Sequence, residues 1–147
     1  MKQALRILVV DDEASVRRSI KMILEHCGHE VWLAEGGEAA IEQFAHRKFD
    51  LVITDFLMPE MHGDQLIASI RKLSPTQRII MVTAFVEEYK IYGLASGADA
   101  LLFKPFSFQE LREAIAQACA PEERHATSVV PPSITSSSTS EVAPPPE

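Results

Sequence analysis

Five side chains stand out for the chemistry they offer, and each follows an apolar run: Asp11 and Asp12 after the first, Asp55 after the third, Thr83 at the end of the fourth and Lys104, with Pro105 behind it, after the fifth. The second run ends in Ala34-Glu35 and adds nothing comparable. Taken singly these residues are ordinary. An Asp after a strand forms turns or caps helices, a Thr fills a strand, and a Lys before Pro sits in water. Gathered at one edge of one sheet they are a site. Two unit charges about 4 Å apart repel by ~4 kcal/mol at an effective dielectric of 20. Three carboxylates therefore need a cation among them, or one of them takes a proton. Hard oxygen donors favour Mg²⁺, which binds few carboxylates and keeps several waters. Adding an ammonium and a hydroxyl completes a cradle for an oxyanion with two or three oxygens, and a phosphoryl group fits it best.

The elements that must position these groups are legible as alternating patterns. Leu5–Val10, Glu30–Ala34, Leu51–Thr54, Arg78–Thr83 and Ala100–Phe103 read as strands, and the first, third and fourth are nearly continuous in Ile, Leu and Val. Such runs suit strands buried on both faces of a parallel sheet. Between them Val16, Ile20, Ile23 and Leu24 recur at helical spacing, as do Leu66, Ile67, Ile70 and Leu73. Ala40, Ile41 and Phe44 mark a shorter helix, Tyr89 to Ala95 another, and Leu111, Ala114, Ile115 and Ala118 the last. Gly28 and Gly97 suit helix C-terminal caps, and Ser107 with Glu110 reads as a capping box. Five β-then-α units make an open α/β sandwich with right-handed crossovers, whose ligands bind beyond the carboxyl ends of the strands.

The 147 residues, 46% hydrophobic and 24% charged, have an ordinary globular composition. Fourteen Lys and Arg face 21 Asp and Glu, for a net charge of -7, and no dense basic run appears. Direct nucleic-acid binding is not expected, because it needs clustered cations. No apolar run approaches the roughly 18–20 residues that span a bilayer, and Met1–Val10 lacks the apolar core and cleavage site of a secretory signal. No membrane insertion and a cytoplasmic location are the expectations. Cys27 and Cys119 read as reduced, inert thiols. Residues 1–120 form the folded unit. Residues 121–147 are rich in Pro, Ser and Thr, lack apolar periodicity, and read as a disordered tail or linker stub.

Four motifs carry a resemblance: I-L-V-V-D-D-E at 7–13, D-F-L-M-P-E-M-H-G at 55–63, V-T-A at 82–84 and G-A-D-A-L-L-F-K-P-F at 97–106. Over about residues 3–120 the chain resembles the response regulator receiver domain. The resemblance implies a flavodoxin-like (βα)5 open sandwich, with strand order 2-1-3-4-5 and helices on both faces. It implies that Asp55 accepts a phosphoryl group from a sensor histidine kinase or a histidine phosphotransfer protein. Asp11, Asp12, Asp55 and the backbone carbonyl of Leu57 would hold Mg²⁺. Thr83 would hydrogen-bond a phosphoryl oxygen, and Lys104 would pair with the carboxylate and then with the phosphoryl group. The Lys104–Pro105 bond would be cis. Thr83, Leu101, Tyr89 and Tyr92 would lie on a switch and partner surface that meets a downstream protein target. The protein would be no enzyme toward other molecules, catalysing only its own phosphorylation and slow dephosphorylation.

The sequence also departs from the family pattern. Leu101 stands where the family usually has a Tyr or Phe that rotates between two positions. Thr83 to Gly97 is one residue shorter than the commonest spacing. Leu57 and Phe85 occupy the positions that tune acyl-phosphate hydrolysis, and neither side chain hydrogen-bonds water, so slow hydrolysis is expected. Two other readings compete. A phosphatase with an Asp nucleophile typically carries a second Asp two residues on, where this chain has Leu57. A receiver-like scaffold that no longer takes phosphate would need none of the acidic set. His26, Cys27 and His29 cluster at a helix end, where the dipole favours imidazole. His62 reads as a solvated turn residue, and Trp32 as core.

Overall fold

The apolar runs have no polar side to offer water, and the chain buries them between two layers of helices. The structure, a computed structural model, describes residues 3–84 and 96–120, together with the main chain of 128–130. In chain order the elements are β1 (Arg6–Val10), α1 (Ala14–His26), β2 (Glu30–Ala34), α2 (Gly37–His46), β3 (Leu51–Asp55), α3 (Gly63–Leu73), β4 (Ile79–Ala84), β5 (Ala100–Lys104), α4 (Phe108–Ala118) and β6 (Ser128–Val130). All pairings are parallel, in the order β2-β1-β3-β4-β5-β6. The first five strands thus have the flavodoxin-like order expected. The helix read at Tyr89 to Ala95 lies outside the described residues.

Alternate residues of each strand feed opposite cores. Leu8, Val10, Val52, Met81, Leu101 and Phe103 pack with Ala40 of α2 and Leu66, Ile67 and Ile70 of α3. Ile7, Val9, Ile53, Ile80, Val82 and Leu102 pack with Ile20 and Leu24 of α1 and Leu111, Ala114 and Ala118 of α4. This double burial excludes water from both faces and leaves the strand ends as the place for polar groups.

The caps follow their sequence signals. Gly28 takes φ of +93°, the left-handed conformation that the end of α1 asks of its glycine; Gly97 takes φ of +89°, and the helix it was expected to cap lies outside the described residues. Ser107 Oγ accepts from the Glu110 N–H at 3.0 Å, and a Glu110 carboxylate oxygen accepts from the Ser107 N–H at 2.8 Å. The Lys104–Pro105 bond is cis.

Three details differ from the sequence reading. Leu73, on the apolar period of α3, is 59% exposed, because it sits at the last residue of the helix, beyond the core. Trp32 is only half-buried, flanked by the guanidinium groups of Arg6 and Arg47 at 5.8 and 5.0 Å from its ring. Within the stretch read as a disordered tail, Ser128–Val130 pairs with Ala100–Leu102 on the open edge of β5. That edge offers free ladder groups, and two β-branched Val residues suit them. The β5–α4–β6 crossover steps across the sheet in the same direction as β3–α3–β4, but its helix lies on the α1 face. Its hand is therefore opposite to that of the β3–α3–β4 unit.

Candidate functional site

Register fixes which strand ends meet. Val10 pairs with Ala34 and Thr54, Asp55 with Val82, and Ala84 with Lys104. The residues that end or follow β1, β3, β4 and β5 therefore share one edge. Asp11 is 2% exposed, and each of its polar atoms has a separate partner. Its N–H donates to the Ala34 carbonyl at 3.2 Å, and its Oδ1 accepts from the Glu13 N–H at 2.9 Å. Its Oδ2 faces Lys104 Nζ at 3.4 Å, and its carbonyl accepts from Arg17 Nη1 at 2.7 Å.

Lys104 Nζ also lies 3.3 Å from Asp55 Oδ1, so one ammonium bridges two acids that are both almost fully buried. Asp12, exposed beside them, completes the trio, and one oxygen from each acid falls within 4.8 Å of the others. Burial, and then the charge of Asp11, push the Asp55 carboxyl up to about 6, against the pull of Lys104. For Lys104 burial works against the ammonium, but Asp55 and then Asp11 outweigh it, and the pKa is raised. Among the described residues this is the one cluster of acids, His or Cys able to hold a metal ion. Its donors are all carboxylate oxygens, with no imidazole or thiol, which suits a hard divalent cation. Thr83, 2% exposed, is the residue after Val82 on β4, one step beyond the partner of Asp55.

The loop after Asp55 turns tightly. The Gly63 N–H donates to the Phe56 carbonyl at 2.8 Å, bringing the start of α3 onto the loop. A Cβ at Gly63 would drive into the Asp55 carbonyl oxygen and press on Phe56 Cα, both main-chain atoms with nowhere to go. Glu60, in the same loop, has φ of +70°. Replacing Gly63 by Ala is expected to cost ~2 kcal/mol, within the range for overpacking. Urea unfolding checks this, and an unchanged midpoint would show that the approach is not tight in solution.

The structure thus brings together Asp11, Asp12, Asp55, Thr83 and Lys104. Leu57 lies in the loop two residues past Asp55, its side chain 49% exposed. Leu101 is fully buried in the core shared with Phe103 and Met81, so none of it reaches the surface. Tyr89, Tyr92 and Phe85 lie outside the described residues. His29 Nδ1 accepts from the Leu5 N–H at 3.0 Å, a structural role. His62 precedes α3 with its ring 5.3 Å from that of Phe56. Both cysteines are free, and burial raises the Cys119 thiol, in keeping with inert thiols. Sequence reasoning missed Arg17, whose only signal was a cation one turn into the helix after the acid pair.

With that geometry in hand, known proteins are informative. A family model described as the response regulator receiver domain matches residues 7–116. The transcriptional regulatory protein ResD of Bacillus subtilis is 39% identical over 107 residues, covering 72% of this chain and 44% of ResD. The chain thus spans less than half the length of that relative. Among solved structures, the chemotaxis response regulator CheY4 of Vibrio cholerae aligns with a TM-score of 0.73 and 30% identity, over 79% of this chain and 99% of CheY4. The response regulator TrrA of Thermotoga maritima, in complex with Mg(2+)-BeF, aligns with a TM-score of 0.70 and 37% identity, over 77% and 97% of the two chains.

Proposed function

The chain belongs to the response regulator receiver domain family of two-component signalling, and from that premise we propose that it is a phosphoacceptor that takes a phosphoryl group on Asp55. One observation carries the reading: a carboxylate almost out of water, 3.3 Å from an ammonium, inside a trio of acids. With its pKa near 6, Asp55 is mostly ionised at neutral pH and so nucleophilic, yet it is more basic than an ordinary Asp.

An Asp55 oxygen attacks the phosphorus of a phosphohistidine on the donor protein. The P–O bond forms as the P–N bond breaks, and the imidazole nitrogen leaves with the electron pair and takes up a proton. Lys104 offsets charge on the transferring group and then pairs with its oxygens. Thr83 donates its hydroxyl to one of those oxygens. Asp11, Asp12, Asp55 and the Leu57 carbonyl would hold Mg²⁺, which would supply further positive charge to the site. The acyl phosphate adds about -1.5 to -2 of charge. The protein responds by shifting a pre-existing equilibrium in the β4 and β5 units.

The donor is a sensor histidine kinase or a histidine phosphotransfer protein, and the proposed site of action is the cytoplasm. An open groove of about 580 Å³ runs past Lys104 between α1 and the β5–α4 loop, lined by Val16, Ile20 and Phe106, and supports contact with a protein donor. Output is by contact with a downstream protein. The 21 Asp and Glu outnumber the 14 Lys and Arg, which disfavours contact with a phosphate backbone. Among the described residues no helix is long and apolar enough to cross a membrane. Toward other molecules the chain has no turnover; it phosphorylates itself and loses the group slowly, since the Leu57 side chain does not orient water.

Intact mass after incubation with acetyl phosphate and MgCl₂ tests this. One added phosphoryl group on Asp55, lost slowly after donor removal and faster in Leu57→Asn, is the expected result. Steady release of phosphate would point to a phosphatase, and no mass change to a binding scaffold.

A further inference from the structure

We propose that Arg17 is a positioning residue for the cation site, acting through the peptide unit that joins Asp11 to Asp12; the inference rests on the phosphoacceptor reading. Arg17 lies in the first turns of α1, and its own N–H donates to the Glu13 carbonyl at 3.1 Å, so its Cα is fixed by the helix. Its guanidinium reaches back and donates to the Asp11 carbonyl at 2.7 Å. That carbonyl belongs to the peptide plane whose other end is the Asp12 nitrogen. Rotating this plane changes ψ of Asp11 and φ of Asp12, and so swings the Asp12 carboxylate relative to the other two acids.

The two acids of the pair are held differently. Asp11 is buried, with its side chain fixed by the Glu13 N–H and Lys104 and its N–H fixed by Ala34. Asp12 is exposed, and among the described residues no hydrogen bond holds its carboxylate. What aims Asp12 is the main chain, and Arg17 is the side chain that grips that main chain. A hydrogen bond from a charged donor is among the stronger kind, and Arg keeps its charge at every accessible pH.

The sign of the effect separates positioning from simple electrostatics. A guanidinium and Mg²⁺ carry like charges. If Arg17 acted through its charge alone, removing it would tighten Mg²⁺ binding. If it positions Asp12, removing it weakens binding despite the relieved repulsion.

The experiment measures MgCl₂ binding by calorimetry, and the initial rate of phosphorylation by acetyl phosphate against MgCl₂ concentration, for wild type, Arg17→Met and Arg17→Lys. Expected is a rise of about fivefold to tenfold in the Mg²⁺ half-saturation for Arg17→Met, in line with a charged hydrogen bond, with the rate at saturating Mg²⁺ little changed. Arg17→Lys, which keeps a donor, recovers most of the loss. Tighter or unchanged binding in Arg17→Met overturns the proposal. So does a lower maximal rate with unmoved half-saturation, which is the signature of a merely structural role. A wild type silent to MgCl₂ would overturn the phosphoacceptor reading along with it; a wild type that binds normally, beside an unmoved variant, overturns the role of Arg17 alone.

Discussion

Asp55→Asn is expected to abolish phosphoryl uptake entirely and, at the same time, to stabilise the metal-free fold at pH 8. The amide is no nucleophile, so the added mass disappears. The stability change follows from linkage. Burial and the charge of Asp11 raise the folded Asp55 pKa from 3.8 to about 6. The folded state therefore holds a proton that the unfolded chain gives up. The stability this contributes is present in full below about pH 4 and is lost as pH rises through 6. Above that, the ionised carboxylate burdens the fold by up to ~3 kcal/mol, the free-energy equivalent of so large a difference in proton affinity between the folded and unfolded chain. Asn removes the burden but also deprives Lys104 of a partner, so the net gain at pH 8 is expected at ~1–2 kcal/mol. At pH 4 the gain vanishes. Urea unfolding at the two pH values measures it. Millimolar MgCl₂ should stabilise wild type at pH 8 and do little at pH 4, because cation and proton compete for the same oxygens. A variant as stable as wild type at both pH values would show that Asp55 is not strained by its neighbours. Phosphate still taken up by the variant would move the acceptor elsewhere.

Lys104→Met separates holding the cation from using it. The ammonium sits 3.4 Å from Asp11 and 3.3 Å from Asp55, close enough to offset much of their mutual repulsion. Met keeps the apolar stem and removes the charge. Without it the two buried carboxylates face each other unrelieved, and the Asp55 pKa is expected to climb further above 6. Mg²⁺, no longer sharing the site with a like charge, should bind more tightly at pH 8. Phosphorylation should nonetheless slow by about a hundredfold, the scale on which one charged or hydrogen-bonding partner of a transferring oxyanion matters. Calorimetry and the rate with acetyl phosphate, run on one preparation, give both numbers. If Mg²⁺ binding and phosphorylation fall together, Lys104 supports the architecture of the site and not the chemistry.

Much of the site was legible because its members punctuate the chain. Asp11, Asp12, Asp55, Thr83 and Lys104 each end an apolar run, and a parallel sheet puts all such ends on one side. Register then brought them level, Val10 beside Thr54, Asp55 beside Val82 and Ala84 beside Lys104. Arg17 was not legible, since an exposed-looking Arg on an amphipathic helix gives no sign of the carbonyl it will meet. Gly63 stood in a recognised motif, but its closeness to the Asp55 main chain depends on how the loop folds back. Leu73 kept the helical period yet ran past the end of the core. The strand at Ser128–Val130 lay hidden in a polar, Pro-rich stretch and formed only because β5 left an edge open.

What the sequence determined on its own is everything that depends on neighbours along the chain: the strands, the helices Gly28 and Ser107 delimit, and the order in which reactive residues appear. Tertiary structure alone decided what depends on distance through space. Asp11 and Lys104 are 93 residues apart in the chain and 3.4 Å apart in the fold. The raised pKa of Asp55, the burial of Leu101 and the grip of Arg17 on the Asp11 carbonyl all belong to that second kind. Electrostatic and packing energies fall off with separation in three dimensions, and the linear order of residues carries no measure of it.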